Sequence, residues 1–203
     1  MSIQQQLDGL FLEWKQAQQD EFGLDLFFPD GLMGSEGKYA QAKRKVLYVL
    51  SECHVLEGTA ENVKDKFWLK EIVVDKRATT KHENAIVSRL AFMQGTLTGN
   101  KDLSAAAFMN LNKGGGTDKA DWKKILEYVR NKQMAQFIWK EIDILDPAVI
   151  VWCSDFRIAT RILGTGYPTP LINMWHPSYY YTNNEKYQAH FLEIIKSQGD
   201  MFI

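Results

Sequence analysis

Short, continuously apolar runs alternate along the chain with segments whose apolar residues recur at helical spacing. Four such runs are typical of strands buried on both faces, and they lie at 45–52, 105–111, 148–154 and 171–175. Five segments carry an apolar stripe typical of helices, and they lie at 7–14, 84–94, 121–142, 156–163 and 186–196. Buried strands that alternate with helices predict an α/β fold. We expect a three-layer α/β/α sandwich around a mostly parallel four-stranded central sheet.

Length and composition indicate one globular domain over residues 1–203. The chain is 45% apolar and 24% charged, which is ordinary for a globular protein. The formal net charge is −1, so tight non-specific binding to nucleic acid is not expected from charge alone. Aromatic residues make up 12%, which indicates either a rich core or a stacking site.

Cysteine use and the N-terminal sequence favour a cytoplasmic protein. Cys53 and Cys153 are too few for a disulfide scaffold, and reduced thiols are the expectation. The first residues show no signal-peptide pattern, and no apolar stretch reaches the length of a membrane span. No close-spaced pair of ligands resembles a metal site, so we expect no metal.

Polar, chemically capable residues follow each predicted strand. In parallel α/β sheets the ligand crevice lies beyond the carboxyl ends of the strands. The residues found there occupy 51–54, 110–117, 153–155 and 176–181. Their recurrence at all four strand ends predicts a site at this edge of the sheet.

Each of these polar residues has a functional and a structural interpretation. Glu52 is a candidate general base or a solvated, capping carboxylate. Asn110 is suited either to reading the edge of a base or to satisfying loop backbone. His176 can donate to a developing anion or serve packing. Lys113 with its three following glycines can cradle a phosphate or form a flexible turn.

The strand-end motifs resemble those of the uracil-DNA glycosylase superfamily. Residues 49–54, Val-Leu-Ser-Glu-Cys-His, stand where that family has a motif of the type Gly-Glu-Ala-Pro-Gly. Residues 108–113, Phe-Met-Asn-Leu-Asn-Lys, resemble the strand that ends in the base-contacting Asn, and 145–151 resembles the strand led by a proline. His-Pro-Ser at 176–178 is intact, whereas the glycine and proline of the first motif are missing. The match covers about residues 45–180.

The resemblance implies excision of uracil or a related damaged base from DNA, with no cofactor. By this resemblance, Glu52 activates water and His176 donates to the departing base. Asn110 binds the base edge, and the base stacks on Phe67 or Trp68. We also expect a monomer whose contacts to DNA, which can be single-stranded or damaged, come from Lys113, Ser178, Tyr179 and Tyr180.

Other interpretations of the same residues stay open. The altered first motif favours a non-catalytic nucleic-acid or nucleotide-binding protein that keeps the glycosylase fold. A small-molecule α/β hydrolase would use Cys53 or Glu52 together with His54. Residues 179–181 form either a wedge that enters DNA or a packing contact with the last helix through Tyr187 and Phe191.

Overall fold

A computed structural model describes residues 1–54, 68–75, 78–116 and 120–199. Its five-stranded sheet has the order β1-β3-β2-β4-β5. The strands are β1 Gly31–Leu32, β2 Val46–His54, β3 Ala107–Gly116, β4 Val149–Trp152 and β5 Leu171–Asn173. Strands β2 to β5 run parallel, and β1 pairs antiparallel with β3.

The four-strand prediction is therefore wrong by one strand. Strand β1 is only two residues long and follows Pro29 in a segment rich in glycine. A strand this short carries no alternating pattern, so its pairing with β3 decides its conformation. The α/β class and the mostly parallel sheet are confirmed.

Eight α-helices lie in the described part of the chain. They are α1 Ile3–Phe22, α2 Glu36–Ala40, α3 Trp68–Val73, α4 Lys81–Thr98, α5 Trp122–Arg130, α6 Lys132–Leu145, α7 Phe156–Leu163 and α8 Asn184–Ser197. A capping box starts α4, in which Thr80 accepts from the Glu83 backbone N–H and Glu83 accepts from the Thr80 backbone N–H. None of the described helices is long and apolar enough to cross a membrane.

Residues 121–142 form two helices rather than the single helix that their apolar pattern predicts. Asn131 has extended backbone angles and lies between α5 and α6. Its side-chain oxygen accepts hydrogen bonds from the backbone N–H groups of Gln133 and Met134, which caps α6. The apolar stripe continues across the break, so periodicity alone does not reveal it.

Alternate residues of β2 belong to two hydrophobic clusters. Leu47 and Val49 pack in the cluster that includes buried residues of α1, α5, α6 and α7. Val46, Tyr48 and Leu50 pack in the cluster that includes buried residues of α3, α4 and α8. Successive strand side chains point to opposite faces, so β2 is buried on both, as its continuous apolar run predicts.

Candidate functional site

One residue from each of the four parallel strands belongs to a row of register partners that crosses the sheet. The row consists of Met109, Val49, Trp152 and Asn173. Three residues further along the chain from this row lie Asn112, Glu52 and His176. Glu52 and Asn112 are themselves register partners across β2 and β3. These residues therefore lie at the same carboxyl edge of the sheet.

The Glu52 carboxylate is held by a hydrogen bond at each oxygen. Asn112 Nδ2 donates to Oε2 at 3.0 Å, and the backbone N–H of Asp121 donates to Oε1 at 3.1 Å. Burial raises the pKa of Glu52, and the hydrogen bonds from Asp121 and Asn112 partly oppose that rise. The result is a half-buried, oriented carboxylate that binds a proton more readily than a solvated one.

Gly116 leaves room for that carboxylate. A Cβ atom at Gly116 would lie 2.2 Å from Cδ and from Oε1 of Glu52, closer than real contacts allow. Gly114, Gly115 and Gly116 belong to β3, and not to the phosphate-cradling loop or the flexible turn that the sequence left as alternatives. Strand β3 continues through Gly116, where only a hydrogen side chain fits beside Glu52.

A pair of serines joins the ends of two neighbouring strands. Ser51 Oγ lies 3.0 Å from Ser154 Oγ, so a hydrogen bond links the residue before Glu52 to the segment after β4. The Ser51 side chain is buried. The serine pair thus forms a polar link between β2 and the segment after β4, next to Glu52 in the chain.

His176 is held as a neutral imidazole. Its Nδ1 accepts the backbone N–H of Ser178 at 3.2 Å and lies 2.6 Å from Ser178 Oγ. An acceptor Nδ1 assigns the ring proton to Nε2. Burial lowers the pKa of His176 to about 4, with a smaller contribution from the charge of His82. At neutral pH the ring therefore offers an Nε2–H donor without carrying a full charge.

Arg89 of α4 organises the segment that follows His176. Its Nη1 donates to the carbonyls of Pro177 and Tyr179 at 2.8 Å, and Nη2 donates to the Thr182 carbonyl at 2.7 Å. Its Nε donates to Asn184 Oδ1 at 2.9 Å. Sequence reasoning missed Arg89, although a cation on the apolar stripe of a helix was the available signal.

Asn110 faces Asp30. Asp30 Oδ2 accepts the backbone N–H of Asn110 at 2.5 Å and lies 3.4 Å from Asn110 Nδ2. The Asn110 side chain is 8% exposed. The structure thus places Asn110 within β3, one residue beyond the row described above, with its amide orientation set by a buried carboxylate.

Lys113 is not a surface residue that could contact DNA, so that prediction is wrong. Its ammonium is fully buried, pairs with Asp30 and lies 2.8 Å from Glu141 Oε2. The ring of Trp14 packs 4.8 Å from Nζ. Burial, followed by the charge of Asp30, raises the pKa of Glu141 well above its usual range. Lys113 therefore belongs to a buried ion cluster that joins β3 to α6.

The tyrosines after His-Pro-Ser lie at the surface. Tyr180 and Tyr181 are 71% and 73% exposed, and their ring centroids are 4.1 Å apart. Tyr187 is buried and donates its hydroxyl to the Trp175 carbonyl. The packing alternative is thus excluded for Tyr180 and Tyr181, whereas their role as a wedge stays a prediction.

Several sequence predictions fall on residues that the structure does not describe. Phe67 lies outside the described residues, as do the side chains of Trp68, Cys53 and His54. Across the described ranges, no group of His, Cys, Asp or Glu is arranged to hold a metal ion.

Comparison with known protein families and with characterised proteins finds no match to this chain.

Proposed function

We propose that this protein is a DNA glycosylase that hydrolyses the N-glycosidic bond of uracil or a related damaged base. The observation that carries the proposal is the position of Glu52 and His176. Both lie three residues beyond one row of paired strand residues, at the carboxyl edge of the sheet. An oriented carboxylate and a neutral imidazole donor are the two groups that this hydrolysis needs.

The reaction breaks the bond between the sugar C1′ and the base nitrogen. Positive charge builds on the sugar, and the bonding electron pair leaves with the base. Glu52 orients a water molecule towards C1′ and takes one of its protons as the new C–O bond forms. The products are a free base and an abasic sugar, and the proton on Glu52 passes to the base or to solvent.

His176 stabilises the departing base. Its Nε2–H donates a hydrogen bond to the base oxygen on which negative charge grows. One preorganised donor of this kind contributes about 3–4 kcal/mol to transition-state stabilisation. Because the pKa of His176 is lowered to about 4, the ring stays neutral at the working pH. The contact between Nδ1 and Ser178 keeps the donor aimed.

Asn110 is the proposed base-reading residue. Its contact with Asp30 uses one hydrogen of the side-chain amide and leaves Oδ1 as an acceptor. An acceptor beside a donor matches the N–H and carbonyl on the edge of a pyrimidine such as uracil. Asp30 thereby supports selection of the pyrimidine, because its contact fixes the orientation of the Asn110 side-chain amide.

The proposal includes a cytoplasmic monomer with a three-layer α/β/α fold that acts on DNA. The two hydrophobic clusters that share β2 support the layers. Ser178, Tyr179 and Tyr180 are the proposed contacts to DNA.

The test is incubation with single- and double-stranded oligonucleotides that each carry one altered base, followed by alkaline cleavage at abasic sites. Uracil, hypoxanthine and an oxidised pyrimidine cover the main classes. We expect cleavage at one of them and none at the unmodified strand. Absence of cleavage at every base, with intact fold by circular dichroism, would contradict the proposal.

A further inference from the structure

A run of aromatic rings, all exposed except the partly buried His190, leads away from His176 across the surface. We call it the aromatic surface, and it consists of Trp175, Tyr179, Tyr180, Tyr181 and His190. Trp175 stacks on His190 with centroids 3.9 Å apart and packs 5.5 Å from Tyr179. The ring centroids of Tyr179 and Tyr181 are 5.6 Å apart, and the ring of Tyr181 packs at a tilt against that of Tyr180. Exposed rings in such contact form a continuous surface on which flat groups can stack.

A cationic pocket adjoins the tyrosine end of this surface. The pocket has a volume of about 320 Å³, and its walls include Lys81, His82, Arg89 and Tyr180. Arg89 is 4% exposed, and the four hydrogen bonds given above use four of its five N–H groups. Among the described residues no carboxylate pairs with Arg89, so its positive charge is not neutralised locally.

We infer that the cationic pocket and the aromatic surface together bind an unpaired DNA strand, with a phosphate in the pocket and bases stacked on the rings. The choice of DNA rests on the proposed function. Stacking requires bases whose faces are exposed, and a continuous duplex covers them. Tyr180 belongs both to the wall of the cationic pocket and to the aromatic surface, so one DNA strand can contact the pocket and the surface together.

Charge supports this choice of an unpaired strand over a duplex. The net charge of the chain is −1, so attraction to phosphates alone gives little affinity. Aromatic stacking supplies affinity that does not depend on counterion release. A binding site with few phosphate contacts and several rings suits a strand whose bases are already separated.

The surface also lies beside the proposed catalytic residues. Trp175 directly precedes His176 in the chain, and Ser178 both lines the pocket and contacts His176. A DNA strand that crosses the aromatic surface therefore passes beside Ser178, which contacts His176. The structure in this way links strand binding to delivery of a nucleotide to the site.

The test measures fluorescence anisotropy with a labelled 12-nucleotide DNA strand of mixed sequence that contains no altered base. The matching duplex and the RNA strand of the same sequence are measured in parallel. We expect the DNA strand to bind at least about tenfold more tightly than the duplex. The double variant Tyr180→Ala/Tyr181→Ala should weaken strand binding by about tenfold or more.

Salt dependence tests the pocket. In the wild type, log affinity should fall with log salt with a slope of about −0.7, which corresponds to the one phosphate in the pocket. Lys81→Ala removes a cation from the pocket, so the slope should become shallower by about 0.7. Trp139→Ala and Lys132→Ala remove an exposed ring and an exposed cation elsewhere and should change neither affinity nor slope.

Tighter binding to the duplex or to RNA, or unchanged affinity in the tyrosine variant, would overturn the inference. An unchanged salt slope in Lys81→Ala would overturn the assignment of phosphate to the pocket. Because the strand carries no altered base, its binding is independent of excision. Strand binding without excision at any base would remove the proposed function alone, and excision without strand preference would remove this inference alone.

Discussion

Asn112 Nδ2 donates a 3.0 Å hydrogen bond to Glu52 Oε2 across strands β2 and β3. The neighbouring Asn110, which the sequence analysis selected, contacts Asp30 instead. Two asparagines two residues apart on one strand thus have separate tasks. Asn112 orients Glu52, the proposed general base. Asn110 presents an oriented side-chain amide one residue beyond Met109, its neighbour in the row of register partners.

Asn112→Asp should move the acid limb of the excision rate to higher pH. A second carboxylate beside Glu52 removes a hydrogen bond to its ionised form and adds a like charge. Both effects raise further a pKa that burial already raises. The measurement is the pH profile of single-turnover excision. An acid limb at the wild-type position would contradict a role for Asn112 beside the titrating group.

Gly116→Ala should lower excision at least about tenfold, because the new Cβ would occupy space now filled by the Glu52 carboxylate. Gly9→Ala is the matched control, since a Cβ there has no atom within 4 Å. In α1 that control should gain about 0.5–1 kcal/mol in the free energy of unfolding. Wild-type excision by Gly116→Ala would show that the position of Glu52 is not critical.

Lys113→Met should cost about 3–5 kcal/mol in the free energy of unfolding, because Asp30 and Glu141 would lose the buried cation between them. The exposed Lys123→Met should cost little. Urea unfolding gives the answer, and a loss below about 1 kcal/mol would contradict a structural ion cluster.

His176 should titrate near pH 4 with its neutral proton on Nε2, which ¹⁵N NMR of the ring reports directly. Since the folded pKa is depressed from 6.5, the unfolded chain binds the proton more readily between pH 4 and 6.5. Stability should therefore rise with pH across that window, by up to about 3 kcal/mol. In His176→Asn this contribution should vanish. An Nδ1 proton at pH 7 would contradict the assigned tautomer.

Periodicity in the sequence predicted the four parallel strands and the edge that carries Glu52, Asn110 and His176, because burial on both faces leaves a continuous apolar run. Periodicity did not predict that Lys113 is buried and paired with carboxylates. The partners of that lysine are Asp30 and Glu141, which are distant in sequence and meet it only in the folded chain. A strand lysine followed by glycines looks locally like an exposed turn.

The break at Asn131 and the closeness of Gly116 to Glu52 were missed for similar reasons. An asparagine cap between two apolar stripes leaves the helical spacing intact. The need for glycine at 116 depends on a side chain from the neighbouring strand. Both are decided by contacts that local patterns do not contain.

The most direct test of the central claim is single-turnover release of free base from a DNA strand carrying one altered base, by Glu52→Gln and by Glu127→Gln. Glu127 is an exposed glutamate of α5 and controls for loss of one charge. We expect Glu52→Gln to lose about a hundredfold or more in rate with an unfolding temperature near wild type, and Glu127→Gln to keep the full rate. Equal rates for the two variants would contradict the role of Glu52 as the base that activates water.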